Sequence, residues 1–173
     1  MDWVVLLYVI MFFFGIYFLM MFIILYKRNQ KDLYYYPKPK KFMPISILIP
    51  AYNEEGSIEE TVQAVLDMEY PKGKKEVIVI NDFSKDGTAK IIRKMMTKYT
   101  NLKLIDNKMN IGKAGSLNQG IKIAKGELIA VVDADSYPEK DSLIKMVGSF
   151  EVDEKLGAIT SRVWVRKNKL NFL

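Results

Sequence analysis

Cysteine and histidine are both absent from this chain of 173 residues. Without cysteine there is no disulfide framework and no thiolate metal site. Without histidine there is no imidazole base, no Ser-His or Cys-His dyad and no nitrogen ligand for zinc. A metal here must be a hard cation held by oxygens, and proton transfer must fall to carboxylates, lysine or tyrosine. The spread-out basic stripe of a nucleic-acid binder is also missing. The formal net charge is +6, but Lys27, Arg28, Lys31, Lys38, Lys40 and Lys41 stand against Asp32 alone, a local surplus of five. The imbalance is one short patch, so no nucleic-acid partner is expected.

The patch follows the longest apolar run. Trp3 to Tyr26 is 24 residues without a charge, and about 20 suffice to cross a bilayer core. Asp2 in front, the excess length and the basic segment behind distinguish the run from a secretory signal. Residues 1–26 are therefore expected to be an uncleaved, single-pass anchor in the cell membrane. Lys27, Arg28 and Lys31 place the following domain in the cytoplasm by the positive-inside rule. Residues 27–44 read as a basic, proline-containing linker, with Tyr34, Tyr35 and Tyr36 beside Pro37, Pro39 and Pro44. Two readings of it stand open: tyrosines and lysines at anionic headgroups, or a solvated connector.

From residue 45 to 173 the pattern alternates. Ile45–Ile49, Val77–Ile80, Leu102–Ile105 and Leu128–Val132 are short apolar runs, and Ala158–Val165 reads as a fifth strand. Helical spacing of apolar residues separates them. The helix after the first strand has a capping-box signal in Ser57 and Glu60. The next opens at Asp86-Gly87-Thr88. The third carries the stripe Ala114, Leu117, Ile121 and Ala124. The last is expected to start at Pro138. Strands that are apolar throughout belong in a sheet covered on both faces. The fold class is α/β, a mostly parallel doubly wound sheet with helices on both faces, preceded by one transmembrane helix. In such sheets ligands bind beyond the carboxyl ends of the strands.

Four loops fall at those ends: Pro50 to Glu55, Asn81 to Thr88, Asn107 to Gly115, and Asp133-Ala134-Asp135. Two carboxylates one residue apart repel unless a cation joins them, and Mg²⁺ or Mn²⁺ prefers such oxygens. The structural alternative is that the pair caps the following helix. Lys113, among Gly112, Ala114 and Gly115, suits a phosphate near a helix N-terminus, although the Walker spacing is absent and a solvent-facing lysine is the alternative. Asp82 offers acceptors to a base or ribose edge, or forms a turn. Tyr52 offers a ring to stack on a base, or packs on the first helix.

Taken together, PAYNEE (50–55), VINDFSKDGT (79–88), NIGKAGSLNQGI (110–121) and VVDADS (131–136) resemble the inverting family 2 glycosyltransferases of GT-A fold. The resemblance spans about residues 43–166. It is nearest to processive membrane synthases of the hyaluronan, cellulose and poly-N-acetylglucosamine type. It implies that Ala51 and Tyr52 flank the uracil of a UDP-sugar with Glu54 nearby, and that Asp82 holds the base. It further implies that Lys113 faces the phosphates, Asp133 contacts ribose or sugar, and Asp135 holds Mg²⁺ or Mn²⁺. The implied reaction transfers a sugar from the nucleotide-sugar donor to a saccharide or lipid acceptor.

The family's base lies in a later E-D or T-E-D motif, and processive members add Q-x-x-R-W. Neither occurs before Leu173. Glu139 and Asp141, the nearest later carboxylates, are not assigned as base. The expectation is a donor-binding half whose acceptor half is missing, either as part of a glycosyltransferase or as a non-catalytic nucleotide-sugar module acting with a partner chain. A phosphotransferase using D-x-D as nucleophile is disfavoured, because that pair belongs on a first strand with a threonine following.

Overall fold

The computed structural model describes residues 2–30, 35–153 and 155–161, which fall into two compact units divided between Tyr36 and Pro37. The first unit is one helix, α1 (Trp3–Asn29), three residues longer than the uncharged run. At 1.5 Å per residue it is about 40 Å long, against about 30 Å for a bilayer core. It is long and apolar enough to cross a membrane. None of its residues is buried, as suits an apolar surface facing lipid.

The second unit holds four parallel strands: β1 (Ile45–Ala51), β2 (Lys75–Asn81), β3 (Leu102–Asp106) and β4 (Leu128–Val131). Their order is β3-β2-β1-β4. Between them run α2 (Ile58–Leu66), α3 (Thr88–Met96) and α4 (Gly112–Ile123), and α5 (Ser142–Val152) follows β4. Strand alternation splits the core in two. Ile47, Ile49, Val77 and Val79 pack with Ile58, Val62 and Val65 of α2, Ile92 and Met95 of α3 and Leu143 of α5. Leu48, Ile78 and Ile80 face the other way, toward Leu117 and Ala124. The chain builds outward from β1 to β3, then returns to β1's other side as β4. The switch point therefore lies between β1 and β4, where such sheets open a crevice.

Four details depart from the sequence pattern. The buried line of α4 is Ser116 and Gly120, while Ile121 is exposed. A Cβ on Gly120 would stand 3.1 Å from methyls of Ile80 and Leu48, so the helix approaches the sheet on its small residues and turns the isoleucine outward. On β4, Ile129 and Val131 are 42% and 50% exposed. They lie on the face of Ser46 and Leu48, but α4 packs over β1 and β2, so this edge strand is open on that side. Ser57 makes no capping box; its hydroxyl donates to the Glu54 carboxylate at 2.7 Å. Finally, α5 starts at Ser142 rather than at Pro138, because the Lys140 carbonyl is drawn away to accept the Glu69 N–H (2.8 Å). Of the expected fifth strand, residues 158–161 are not in strand conformation and the rest lies outside the described residues.

The end of the sheet opposite the loops is pinned by Glu76. Its carboxylate accepts the Ser46 hydroxyl (2.5 Å), the Lys103 ammonium (2.6 Å) and the Lys125 N–H (2.6 Å). Lys75 caps α2, donating to the carbonyls of Val65, Leu66 and Met68 at 2.6–3.0 Å. A cation over a helix C-terminus satisfies carbonyls that would otherwise be orphaned. Lys75→Met is expected to lower stability by about 1–2 kcal/mol, read from the thermal midpoint of the second unit's near-ultraviolet circular dichroism.

Candidate functional site

All four loops emerge at the carboxyl edge of the sheet and are tied in sequence around it. The first two interlock. Asn53 N–H donates to Ser84 Oγ (2.9 Å), Glu54 N–H to Thr88 Oγ1 (2.9 Å) and Glu55 N–H to Asp86 Oδ2 (3.0 Å). In return, Lys85 N–H donates to Asn53 Oδ1 (2.8 Å) and Gly87 N–H to Glu55 Oε2 (2.7 Å). Asn53 and Phe83 hold positive φ angles of 56° and 65°, and Lys85 Nζ sits 3.3 Å over the Phe83 ring. A bulky residue in left-handed backbone persists only where its surroundings over-determine it, and such positions concentrate at functional sites.

Asp82 joins the second loop to the third. It is 4% exposed. Its Oδ1 accepts from Asn107 Nδ2 (3.0 Å) and Ile111 N–H (3.0 Å), and its Oδ2 from Gly112 N–H (2.8 Å). Gly112 has φ 78°, which lets the chain turn into α4 with its N–H aimed at that oxygen. The carboxylate thus seats the start of α4 and faces the positive end of its dipole. Burial acts to raise the carboxyl, and the Ile111 N–H, the Asn107 amide and the Gly112 N–H outweigh it, holding Asp82 below the usual carboxylate range. A carboxylate offers about four acceptor positions; these donors take three, and the Ser116 hydroxyl of α4 also acts to lower the carboxyl.

Lys113, one residue on, crosses to the fourth loop. Its ammonium lies 2.5 Å from Asp133 Oδ1, and both side chains are more than half exposed. Ala134 is buried, with its carbonyl accepting from Thr61 Oγ1 of α2 (2.8 Å). Ser136 N–H donates to the Asp133 carbonyl (3.0 Å), closing a turn that leaves Asp133 and Asp135 exposed on either side. Among the described residues no acidic cluster of three forms a metal cage. One or two carboxylates, completed by phosphate oxygens and water, is the set that Mg²⁺ takes at nucleotide sites, so the donor chemistry fits such an ion.

The remaining predicted residues take different parts. Ala51 is buried at the end of β1. Tyr52 is half exposed at 51%. The Glu54 carboxylate is engaged by Ser57. Glu139 and Asp141 both lie against Lys145, at 3.6 and 2.8 Å. Sequence reasoning missed Glu55, Asp86 and Thr88 as the clamp between loops. The signal was there in Asp86-Gly87-Thr88, an Asx residue two before a helix start. Asp86 is pushed up by burial but held low by the Thr88 hydroxyl and N–H and the Glu55 N–H.

The family described as "Glycosyl transferase family 2" matches residues 46–172. The chain belongs to glycosyl transferase family 2. Among relatives of this family 2 chain, a poly-beta-1,6-N-acetyl-D-glucosamine synthase of Staphylococcus epidermidis is 40% identical over 129 residues, 75% of this chain and 30% of that protein. A probable glycosyltransferase, YdaM of Bacillus subtilis, is 38% identical over 126 residues, 71% and 30% respectively. The chain thus spans about three-tenths of the length of these relatives. Among solved structures, the mannosyltransferase PcManGT of Pyrobaculum calidifontis, in complex with GDP-Man and Mn²⁺, superposes with TM-score 0.63 at 30% identity, covering 74% of this chain and 39% of that one. Staphylococcus aureus TarS 1–349 in complex with UDP-GlcNAc gives TM-score 0.57 at 33% identity, covering 64% and 32%. The parallel α/β sheet is therefore that of the GT-A glycosyltransferases.

The low-lying carboxylates of Asp82 and Asp86 give the folded site an acid limit. Their folded values lie below the unfolded one, near 4, so their contribution is present above about pH 4 and is lost as pH falls through the folded values. Acid titration by circular dichroism should show cooperative loss of structure below about pH 4, and Asp86→Asn should make stability less steeply pH-dependent there.

Proposed function

We propose that this chain forms the donor-binding part of a membrane-anchored, metal-dependent, inverting glycosyltransferase. The donor is a nucleotide-diphosphate sugar, of UDP type, and the acceptor is a saccharide or lipid. The observation that carries this reading is Lys113, at the N-terminus of α4, paired across the β1/β4 switch point with Asp133 of the D-A-D turn. A cation, a helix N-terminus and two exposed carboxylates meet where a metal-chelated diphosphate is bound by such a sheet.

In this reading Tyr52 and Ala51 flank the base, with Glu54 fixing the loop beneath it. Asp82 offers its carboxylate to a base N–H while it seats α4. Lys113 leaves Asp133 for the diphosphate, and Asp133 turns to ribose or sugar. Asp135 is the metal ligand. Mg²⁺ or Mn²⁺, when bound, offsets charge on the departing nucleoside diphosphate. The anchor is α1, with the second unit on the cytoplasmic side of the cell membrane.

Calorimetry on the whole chain in micelles tests this. UDP should bind with Mn²⁺ or Mg²⁺ and far more weakly without; absence of metal-dependent binding by a folded sample overturns the reading. Lys113→Ala should weaken UDP binding about tenfold, as for one lost charge-assisted hydrogen bond.

A second reading is a nucleotide-sugar-binding module that works with a partner chain. The exposed Ile129 and Val131 of β4 favour it, as surface that another polypeptide would cover. The two readings part on turnover: the module binds UDP-sugar without releasing UDP, whereas the enzyme releases it.

A further inference from the structure

The segment between α1 and β1 is not a loose connector where the structure describes its second half. Residues 37–42 lie along α5 as a strap. Gly148 of α5 is the notch: a Cβ there would stand 1.7 Å from the Pro37 carbonyl oxygen and 3.1 Å from the Pro39 nitrogen. Glu151, one turn on, is the clasp, its two carboxylate oxygens accepting the N–H groups of Lys40 (2.7 Å) and Lys41 (2.5 Å). The strap continues through Phe42, whose ring meets Tyr70 edge-on at 5.3 Å and whose carbonyl accepts from Lys74 (2.7 Å).

This docking sorts the side chains. Pro37, Pro39 and Phe42 are half-buried, while Lys38, Lys40 and Lys41 are exposed. The clasp uses backbone N–H groups, so it fixes the chain and leaves all three ammonium groups outside. None of them makes a salt bridge among the described residues. The result is a short row of cations on a stiffened backbone. In sequence it begins nine residues after the last residue of α1. At about 3.5 Å per residue, the intervening chain reaches no further than about 30 Å. With α1 read as a membrane span, on which this inference rests, the row cannot leave the bilayer's neighbourhood.

We propose that Lys38, Lys40 and Lys41 form a preorganised surface for anionic phospholipid headgroups. Anionic lipid attracts each basic residue held close to the leaflet. A strap already ordered by Gly148 and Glu151 loses less conformational freedom on contact than a free basic tail.

The test uses the whole chain in nanodiscs of phosphatidylcholine alone or doped with phosphatidylglycerol, with lysine acylation read by mass spectrometry. Incorporation into both discs is scored separately, so failure of the anchor and failure of the lysine row are distinguishable. Acylation of Lys38, Lys40 and Lys41 should slow about fivefold in the anionic disc and recover in high salt. Lys90, Lys94 and Lys122 should react equally in both. Gly148→Ala unseats the strap without altering charge and should abolish the protection. The surface variant Lys38→Gln/Lys40→Gln/Lys41→Gln should retain less phosphatidylglycerol on detergent extraction. Equal acylation in the two discs, or equal retention by that variant, overturns the proposal.

Discussion

Asp82→Ala is expected to cost the second unit about 3 kcal/mol and lower its thermal midpoint by about 10 °C or more. The loss is one side chain but three partners. Removing the carboxylate leaves the Ile111 N–H and the Asn107 amide without their acceptor and the Gly112 N–H with Asn110 Oδ1 alone, at 3.1 Å, at a position almost closed to water. Two of the three are the entry to α4, where the N–H groups have no intrahelical carbonyl to turn to. The helix start also loses the negative charge facing its dipole. Asp82→Asn keeps the volume and one acceptor but turns an NH₂ toward an N–H, so an intermediate loss is expected. Because Lys113 is the second residue of α4, the variant should weaken UDP binding beyond any contact with the base. A thermal midpoint unchanged by Asp82→Ala would contradict this role.

Asp135→Ala is expected to remove the metal-dependent part of UDP binding, a loss of about 100-fold or 2.7 kcal/mol. The two aspartates are not equivalent. Asp133 is already neutralised by Lys113, whereas Asp135 makes no salt bridge among the described residues. Asp135 is thus the carboxylate that takes a cation without first giving up a partner. Asp133→Ala should cost less, since the same change frees Lys113 for the diphosphate. Titrating Mn²⁺ by electron paramagnetic resonance, with and without UDP, separates the two. Equal metal affinity in wild type and Asp135→Ala would refute the assignment.

The buried strands were legible because position alone fixed their composition. Ile45–Ile49 and Val77–Ile80 are covered on both faces, and the one polar side chain among them, Ser46, is bonded to Glu76. At β4 the same apolar alphabet misled: Leu128 to Val132 reads like β1, yet half of it faces outward, because burial depends on where α4 lies and not on the strand's own residues. The α4 stripe, which holds at Leu117 and Ala124, failed at Ile121 for a related reason. Periodicity rewards large apolar side chains, while contact distance here is set by Ser116 and Gly120. Site residues were found through their chemistry, but not their allegiances. Asp82 in a sequence is an acceptor looking for a ligand; only the fold discloses that most of its capacity serves Asn107, Ile111 and Gly112. Glu55 was passed over because its partners lie about 30 residues away, beyond any local pattern; Asp86 has a local signal through Thr88 but also reaches Glu55 across that distance.

The mutual grip of the first two loops also predicts how the molecule exchanges hydrogen with solvent. The amides of Asn53, Glu54, Glu55, Lys85, Gly87 and Thr88 all point at side-chain acceptors, so they should exchange slowly before any ligand arrives. Half the mouth behaves as a solid wall. Slowing on nucleotide addition should therefore concentrate in 113–115 and 133–137, and the ordering entropy of binding should be drawn mainly from that side.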